Sequence, residues 1–193
     1  MRIIAGTARS LPLKTVDGID TRPTTDRIKE TLFNIIAPEV PDAVFLDLFA
    51  GSGAIGLEAV SRGAKRSVFV DHSRKAVSVI RENIHFTGFD TQCDVLCMDY
   101  LAAIKALAGK ERFDLVFLDP PYGKGLSARA LDALSTSGLC GDDALVIVEE
   151  AVDFPPEDLA ADGFEIIRKK NYKTNQHIFL RRRRAADPAA DGI

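Results

Sequence analysis

The sequence predicts an α/β protein built on a mostly parallel, seven-stranded sheet, with helices on both faces and an antiparallel hairpin at its C-terminal end. Three observations carry this. Short apolar runs alternate with longer amphipathic runs between residues 44 and 150, the pattern of βαβ units and a parallel sheet. A glycine-rich loop, Gly51-Ser52-Gly53-Ala54-Ile55-Gly56, directly follows the first of the apolar runs. The last two apolar runs are joined by NYKTN alone, too short a link for a parallel crossover.

Residues 1–20 read as a short strand pair, RIIAG and LPLKTV, joined by a turn-rich link. TRPTTDRIKETLFNII reads as a helix. Thr24 or Thr25 caps it and Asp26 sits in its first turn. Ile28, Leu32, Ile35 and Ile36 share one face, and Pro38 and Pro41 end it. The alternation follows: strand VFLDL (44–48), helix GAIGLEAVSRG closing at Gly63, strand SVFVD (67–71), helix RKAVSVIRENIHF, strand DVLCM (94–98) and helix YLAAIKALAG. Strand FDLVFLD (113–119), helix SARALDALSTSG and strand ALVIVEE (144–150) come next. Strands FEIIRKK and QHIFLRR form the closing hairpin. The chain of 193 residues is expected to be one domain: an N-terminal hairpin and helix over 1–40, a core over 41–184 and a tail over 185–193.

Composition is ordinary for a globular protein, with 46% hydrophobic and 27% charged residues. No run of eighteen apolar residues exists, so no membrane span is expected. The start MRIIAGTARS lacks the apolar stretch of a signal peptide, which points to the cytoplasm. Cys93, Cys97 and Cys140 form no C-x-x-C pair and read as buried or partly buried thiols in a reducing compartment. His72, His85 and His177 have no metal-ligand spacing, so no metal is expected. Net charge is −3, but the charge is segregated: eight basic and no acidic residues lie between Arg168 and Arg184. An acidic protein with such a face can bind nucleic acid.

The glycine loop opens a helix directly after a strand. Asp71 stands twenty positions after Gly51, at the end of the next strand. Glycines there permit close backbone approach, and the acid suits ribose hydroxyls. This much fits NAD or S-adenosylmethionine. Asp47, at the strand tip before the loop, would repel a pyrophosphate. It would attract the ammonium and sulfonium groups of S-adenosylmethionine. Asp99, ending the third strand, is placed for an adenine amino group.

The fourth strand ends in Asp119-Pro120-Pro121-Tyr122. The prolines hold the backbone rigid, which fixes the Asp119 carboxylate and the Pro120 carbonyl as acceptors. An exocyclic base amine is a poor nucleophile because its lone pair is delocalised into the ring. Two acceptors on its N–H groups orient it and stabilise the positive charge that develops on nitrogen. Tyr122 offers a ring on which a flipped-out base can stack. This chemistry suits N2 of guanine and N6 of adenine equally.

With these residues in hand, the chain resembles class I methyltransferases, and more closely the RsmD family of 16S rRNA guanine-N2 methyltransferases. The resemblance rests on RIIAGTARSLPLKT, RPTTDRIKETLFNII, LDLFAGSGAIGLEAVSRGA, FVD and FLDPPY. The RPTTDR block is the most specific part. The resemblance implies a Rossmann-like fold and S-adenosyl-L-methionine as cofactor. The implied substrate is 16S rRNA or an assembling small ribosomal subunit. It assigns Asp47, Phe49, Gly51, Ser52 and Gly53 to the cofactor loop, Asp71 to the ribose and Asp99 to the adenine. Asp119, Pro120, Pro121 and Tyr122 become the catalytic loop. Thr25 would lie beside the cofactor, with Arg22 and Thr24 at the RNA entrance, and Arg2 and Arg9 would help hold RNA. The C-terminal arginine run matches no motif of the family. A monomer is the expectation at this size. The alternatives are an amino methyltransferase on DNA, other RNA or protein, an NAD-dependent oxidoreductase, and a non-catalytic RNA-binding assembly factor.

Overall fold

The computed structural model describes residues 1–16, 26–159 and 163–183. Its centre is a seven-stranded sheet in the order β3-β2-β1-β4-β5-β7-β6. The strands are β1 (Val44–Asp47), β2 (Arg66–Asp71), β3 (Cys93–Cys97), β4 (Phe113–Leu118), β5 (Cys140–Ala151), β6 (Phe164–Asn171) and β7 (Asn175–Arg182). The first five run parallel, and β7 pairs antiparallel with both β5 and β6. The predicted closing hairpin is therefore present, with its partner strand β7 inserted between β5 and β6.

The helices are α1 (Asp26–Ile35), α2 (Ala54–Ser61), α3 (Arg74–Thr87), α4 (Tyr100–Leu107) and α5 (Leu126–Ser137). Strand side chains alternate between two apolar layers. One layer joins Val116, Val146, Val148 and Leu180 to Ala103 and Ile104 of α4 and Leu131 and Leu134 of α5. The other joins Phe45, Leu115, Phe117, Ile147 and Phe179 to Leu32 and Phe33 of α1 and Ile55 and Ala59 of α2. The α3 helix packs Ile80 and Ile84 against Phe69 and the N-terminal segment. It starts on a Ser73 cap, whose side chain accepts from the Ala76 N–H, and stops at Gly88 in the left-handed region.

Two expectations change. Residues 2–13 form an antiparallel pairing with a single bridge, Arg2 to Pro12, flanked by backbone bonds such as Ile3 N–H to the Leu11 carbonyl. This is a tight turn-rich hairpin, and regular strands do not develop because Pro12 donates nothing. The α1 helix is rotated relative to its predicted apolar face. It buries Lys29, Leu32, Phe33 and Ile36, while Ile28 and Ile35 are only partly buried. The rotation is possible because Lys29 finds the Glu58 carboxylate and the Arg2 carbonyl inside. Cys140 is buried and Cys93 partly so, but Cys97 is exposed, contrary to expectation. The predicted caps Thr24 and Thr25 lie outside the described residues. Among the described residues no helix is long and apolar enough to cross a membrane.

Candidate active site

The strand order reverses between β1 and β4, and their carboxyl ends diverge there, which is where doubly wound sheets bind ligands. A cleft of about 450 Å³ opens at this point, within the range of small-molecule sites. Its wall contains Asp47, Phe49, Gly51, Ser52, Asp71, Asp99, Asp119 and Pro121. Residues of the two predicted loops therefore share one cavity, though they are far apart in sequence. Gly53, Pro120 and Tyr122 are outside that wall, as are Arg2 and Arg9. Arg22, Thr24 and Thr25 lie outside the described residues.

The glycine loop has the backbone that its composition predicts. Gly51 and Gly53 take φ values of 55° and 78°, in the left-handed region that glycine enters without strain. Gly56 answers a different need. A Cβ there would stand 2.3 Å from a ring carbon of Phe69, so the helix can lie close to β2 only without a side chain.

Asp71 is oriented from both sides. One carboxylate oxygen accepts from the Gly51 N–H at 2.9 Å and the other from the Ser73 N–H at 2.8 Å. Asp99 caps α4 through one oxygen, which accepts from the Leu101 N–H at 2.9 Å, and it still lines the cleft. Phe49 stacks against Tyr100 at 5.0 Å and partly covers the apolar side. Asp47 is 1% exposed and accepts from the Gly56 N–H at 3.2 Å. Burial pushes its carboxyl up to about 7, against the pull of that bond and with a further push from Asp71. A carboxylate held in this state gains most from a cationic ligand. These three acids line the cleft and their chemistry fits S-adenosylmethionine: Asp47 could hold the positively charged end, Asp71 the ribose hydroxyls and Asp99 the adenine amine.

Asp119 is held well above the usual carboxylate range by burial and by the negative charges of Glu149, Asp47 and Glu150. Tyr122 is 41% exposed. Its hydroxyl donates to Glu149 Oε1 at 3.0 Å. Glu149 is buried on β5 and also accepts from Asn175 Nδ2 at 2.5 Å and from His177 Nε2 at 2.9 Å. Burial alone would raise the Glu149 carboxyl, but the His177 bond and its proximity, with those from Asn175 and Tyr122, bring it below its ordinary value. An ionised Glu149 accepts only, so Nε2 carries the hydrogen. In a neutral ring Nδ1 then accepts from the Tyr172 hydroxyl, 3.2 Å away.

None of Glu149, Asn175 and His177 was among the predicted site residues. Their trace in the sequence is a pair of acids ending an apolar strand, VIVEE, opposite polar residues opening another, NQHIF. Lys29 was also missed. It lines the cleft, and its ammonium donates to the Arg2 carbonyl and stands 3.1 Å from Glu58. Arg2 itself bonds Asp26 at 2.8 Å in solvent, and Arg9 is exposed. Among the described residues no group of His, Cys, Asp and Glu is arranged to hold a metal ion.

The chain is similar to known proteins in sequence and in fold. The family model described as Conserved hypothetical protein 95 matches residues 1–181. The chain is 38% identical to ribosomal RNA small subunit methyltransferase D of Escherichia coli K12, over 79% of this chain and 76% of that one. It is 36% identical to the Haemophilus influenzae protein of the same name, over 80% and 81%. The solved structure of yhhF from Escherichia coli superposes with a TM-score of 0.84 at 34% identity, covering 96% of this chain and 99% of the other. A conserved hypothetical protein from Streptococcus pyogenes gives 0.72 at 34% identity, with 80% and 94% covered. The chain belongs to the family described as Conserved hypothetical protein 95, which is the RsmD family of S-adenosylmethionine-dependent class I methyltransferases.

Proposed function

We propose that this protein methylates the exocyclic N2 amine of a guanine in 16S rRNA, free or within the small ribosomal subunit. The observation that carries the reading is the placement of Asp119 and Pro121 in the wall of the cofactor cleft. Relatives at 36% and 38% identity bear the name ribosomal RNA small subunit methyltransferase D, which supports rRNA as the acceptor and a small-subunit site.

S-adenosylmethionine supplies an electrophilic methyl group on a sulfonium. The chain's own residues prepare the nucleophile. The Tyr122 ring stacks the flipped base, a contact worth ~1–3 kcal/mol. The Asp119 carboxylate and the Pro120 carbonyl accept the two amine hydrogens and turn the nitrogen lone pair toward the methyl carbon. S-adenosylmethionine held there would give up its methyl to that nitrogen, with the electrons of the carbon–sulfur bond left on sulfur. The amine proton is then lost, and the Asp119 carboxylate, already accepting a hydrogen bond from that amine, can take it, because burial and the charges of Glu149, Asp47 and Glu150 raise its affinity for a proton. Holding the reacting atoms in line supplies much of the remaining acceleration.

Asp119→Ala tests the assignment. Methyl transfer should fall by at least ~10²-fold, the scale of losing one preorganised stabilising group, while S-adenosylmethionine binding measured by calorimetry stays within threefold. Wild-type turnover in that variant would remove Asp119 from the chemistry.

A further inference from the structure

The basic run that begins at Arg168 is divided by the fold. Two of its arginines are already committed. Arg181 makes two 2.8 Å bonds to the Glu39 carboxylate and a third to the Asp143 carbonyl. Arg182 bonds the Ser135 carbonyl and lies over the Phe164 ring. In register, Arg181 stands opposite Leu145 of β5. That is four residues before Glu149, or ~13 Å back from the catalytic end of the sheet.

The lysine end is different. β7 is antiparallel to β5, so the β6–β7 turn falls on the carboxyl edge of the parallel strands, where the Asp119 loop also lies. Glu149, His177 and Lys170 occupy one row across β5, β7 and β6. Lys170 is therefore two strand spacings, ~10 Å, from the residue that anchors Tyr122. Arg168, Lys169, Lys170 and Lys173 are all exposed. Among the described residues none of the three lysines has an ion pair or a side-chain hydrogen bond. In the β5–β6 connection Asp153 lies nearest the β5 end, with Glu157 and Asp158 farther along the chain, and residues 168–183 contribute no acid. The turn is also stiff: Tyr172 N–H donates to the Asn175 carbonyl at 2.8 Å, and its hydroxyl is tied through His177 to Glu149.

We propose that the end of β6 and the β6–β7 turn form the docking contact for the phosphodiester backbone of the substrate RNA beside the target base, with Lys169 and Lys170 of the strand and Lys173 of the turn as the phosphate contacts. The proposal rests on the RNA reading above. It assigns a surface that the glycine loop and the Asp119 loop do not supply, on a protein whose net charge of −3 offers no general attraction to RNA. The hydrogen-bonded path Tyr172–His177–Glu149–Tyr122 fixes the turn relative to the base-stacking ring.

The test is binding of protein-free 16S rRNA across a salt series, with the wild type and the Lys169→Ala/Lys170→Ala/Lys173→Ala triple variant. Each phosphate contact contributes roughly 0.7–0.9 to the slope of log affinity against log salt. The triple variant should lose at least ~10-fold in affinity at low salt, and its slope should be shallower by roughly two to three. Melting temperature and S-adenosylmethionine affinity should not change, and a triple Lys→Arg variant should restore the slope. Wild-type affinity and slope in the alanine variant would overturn the proposal, as would weaker binding at an unchanged slope. If the wild type methylates small subunits while the alanine variant matches it, only the docking surface fails. If the wild type neither binds nor methylates rRNA, the functional reading fails and takes this surface with it.

Discussion

The side chains at the reaction centre were legible in the sequence where neighbours along the chain define them. Asp47, Gly51, Gly53 and Gly56 lie within ten residues across the β1–α2 junction, and Asp119 to Tyr122 are contiguous, so spacing alone placed them together. Glu149 was not legible, because its partners are separated from it by 26 to 28 positions and meet it only through antiparallel pairing. Its position predicts an indirect role in catalysis, through the Tyr122 hydroxyl. Tyr122→Phe and Glu149→Gln should each lower kcat severalfold with cofactor affinity unchanged. In the double variant the losses should fall short of additive by about 1 kcal/mol, the worth of one hydrogen bond. Fully additive losses would show that the two residues act separately.

Asp47 predicts a pH dependence. Its folded-state value is about 7 against an ordinary 3.8. Between those values the folded, cofactor-free protein holds a proton that the unfolded chain releases. The contribution of Asp47 to stability is therefore present at low pH and lost as pH rises toward about 7. Binding of a cationic cofactor opposes this by favouring the ionised carboxylate. Affinity for S-adenosylmethionine should thus climb with pH up to about 7, at most ~10-fold per unit, and level off above. Calorimetry at pH 6, 7 and 8 checks it, and Asp47→Asn should bind more weakly with the climb removed.

At the scale of elements, Glu58 of α2 explains how a hairpin with one bridge is held in place. Its carboxylate accepts from the Ile4 N–H at 2.7 Å, the Ala5 N–H at 3.0 Å and Arg62 at 2.7 Å, and it pairs with Lys29. One buried acid thereby fastens the N-terminal segment, α1 and α2 together. Both Glu58 and Lys29 are fully buried. Removing one partner of such a pair strands the others, at a typical cost of ~3–5 kcal/mol. Glu58→Ala should therefore lower the unfolding free energy from chemical denaturation by that amount and loosen the N-terminal segment first, as protection of the Ile4 and Ala5 amides from hydrogen exchange would report. Unchanged protection would mean that apolar contacts of Ile3 and Leu13 suffice. The sequence showed α1 as an amphipathic helix but misplaced its face by one position, because a lysine on the inner stripe reads as solvent-facing until its partner is known. The basic run misled in the same way: periodicity cannot show that Arg181 answers Glu39, 142 positions away.

At the scale of the molecule, alternation of strand and helix was enough to predict the parallel sheet, and the short NYKTN link was enough to predict the hairpin. The placement of β7 between β5 and β6 was not legible, because either order satisfies the link length. It matters, since it brings Asn175 and His177 against Glu149 and places the lysines of the β6 end and the β6–β7 turn on the catalytic edge. The resulting account has a cofactor cleft where the strand order reverses, a polarising loop in its wall, and a stacking tyrosine fixed from the antiparallel end of the sheet. The most direct test is transfer of labelled methyl from S-adenosylmethionine to small ribosomal subunits that lack the modification, followed by nucleoside analysis. The account predicts label in N2-methylguanosine. Label in N6-methyladenosine, or none on subunits or on naked rRNA from a protein that still binds the cofactor, would contradict it.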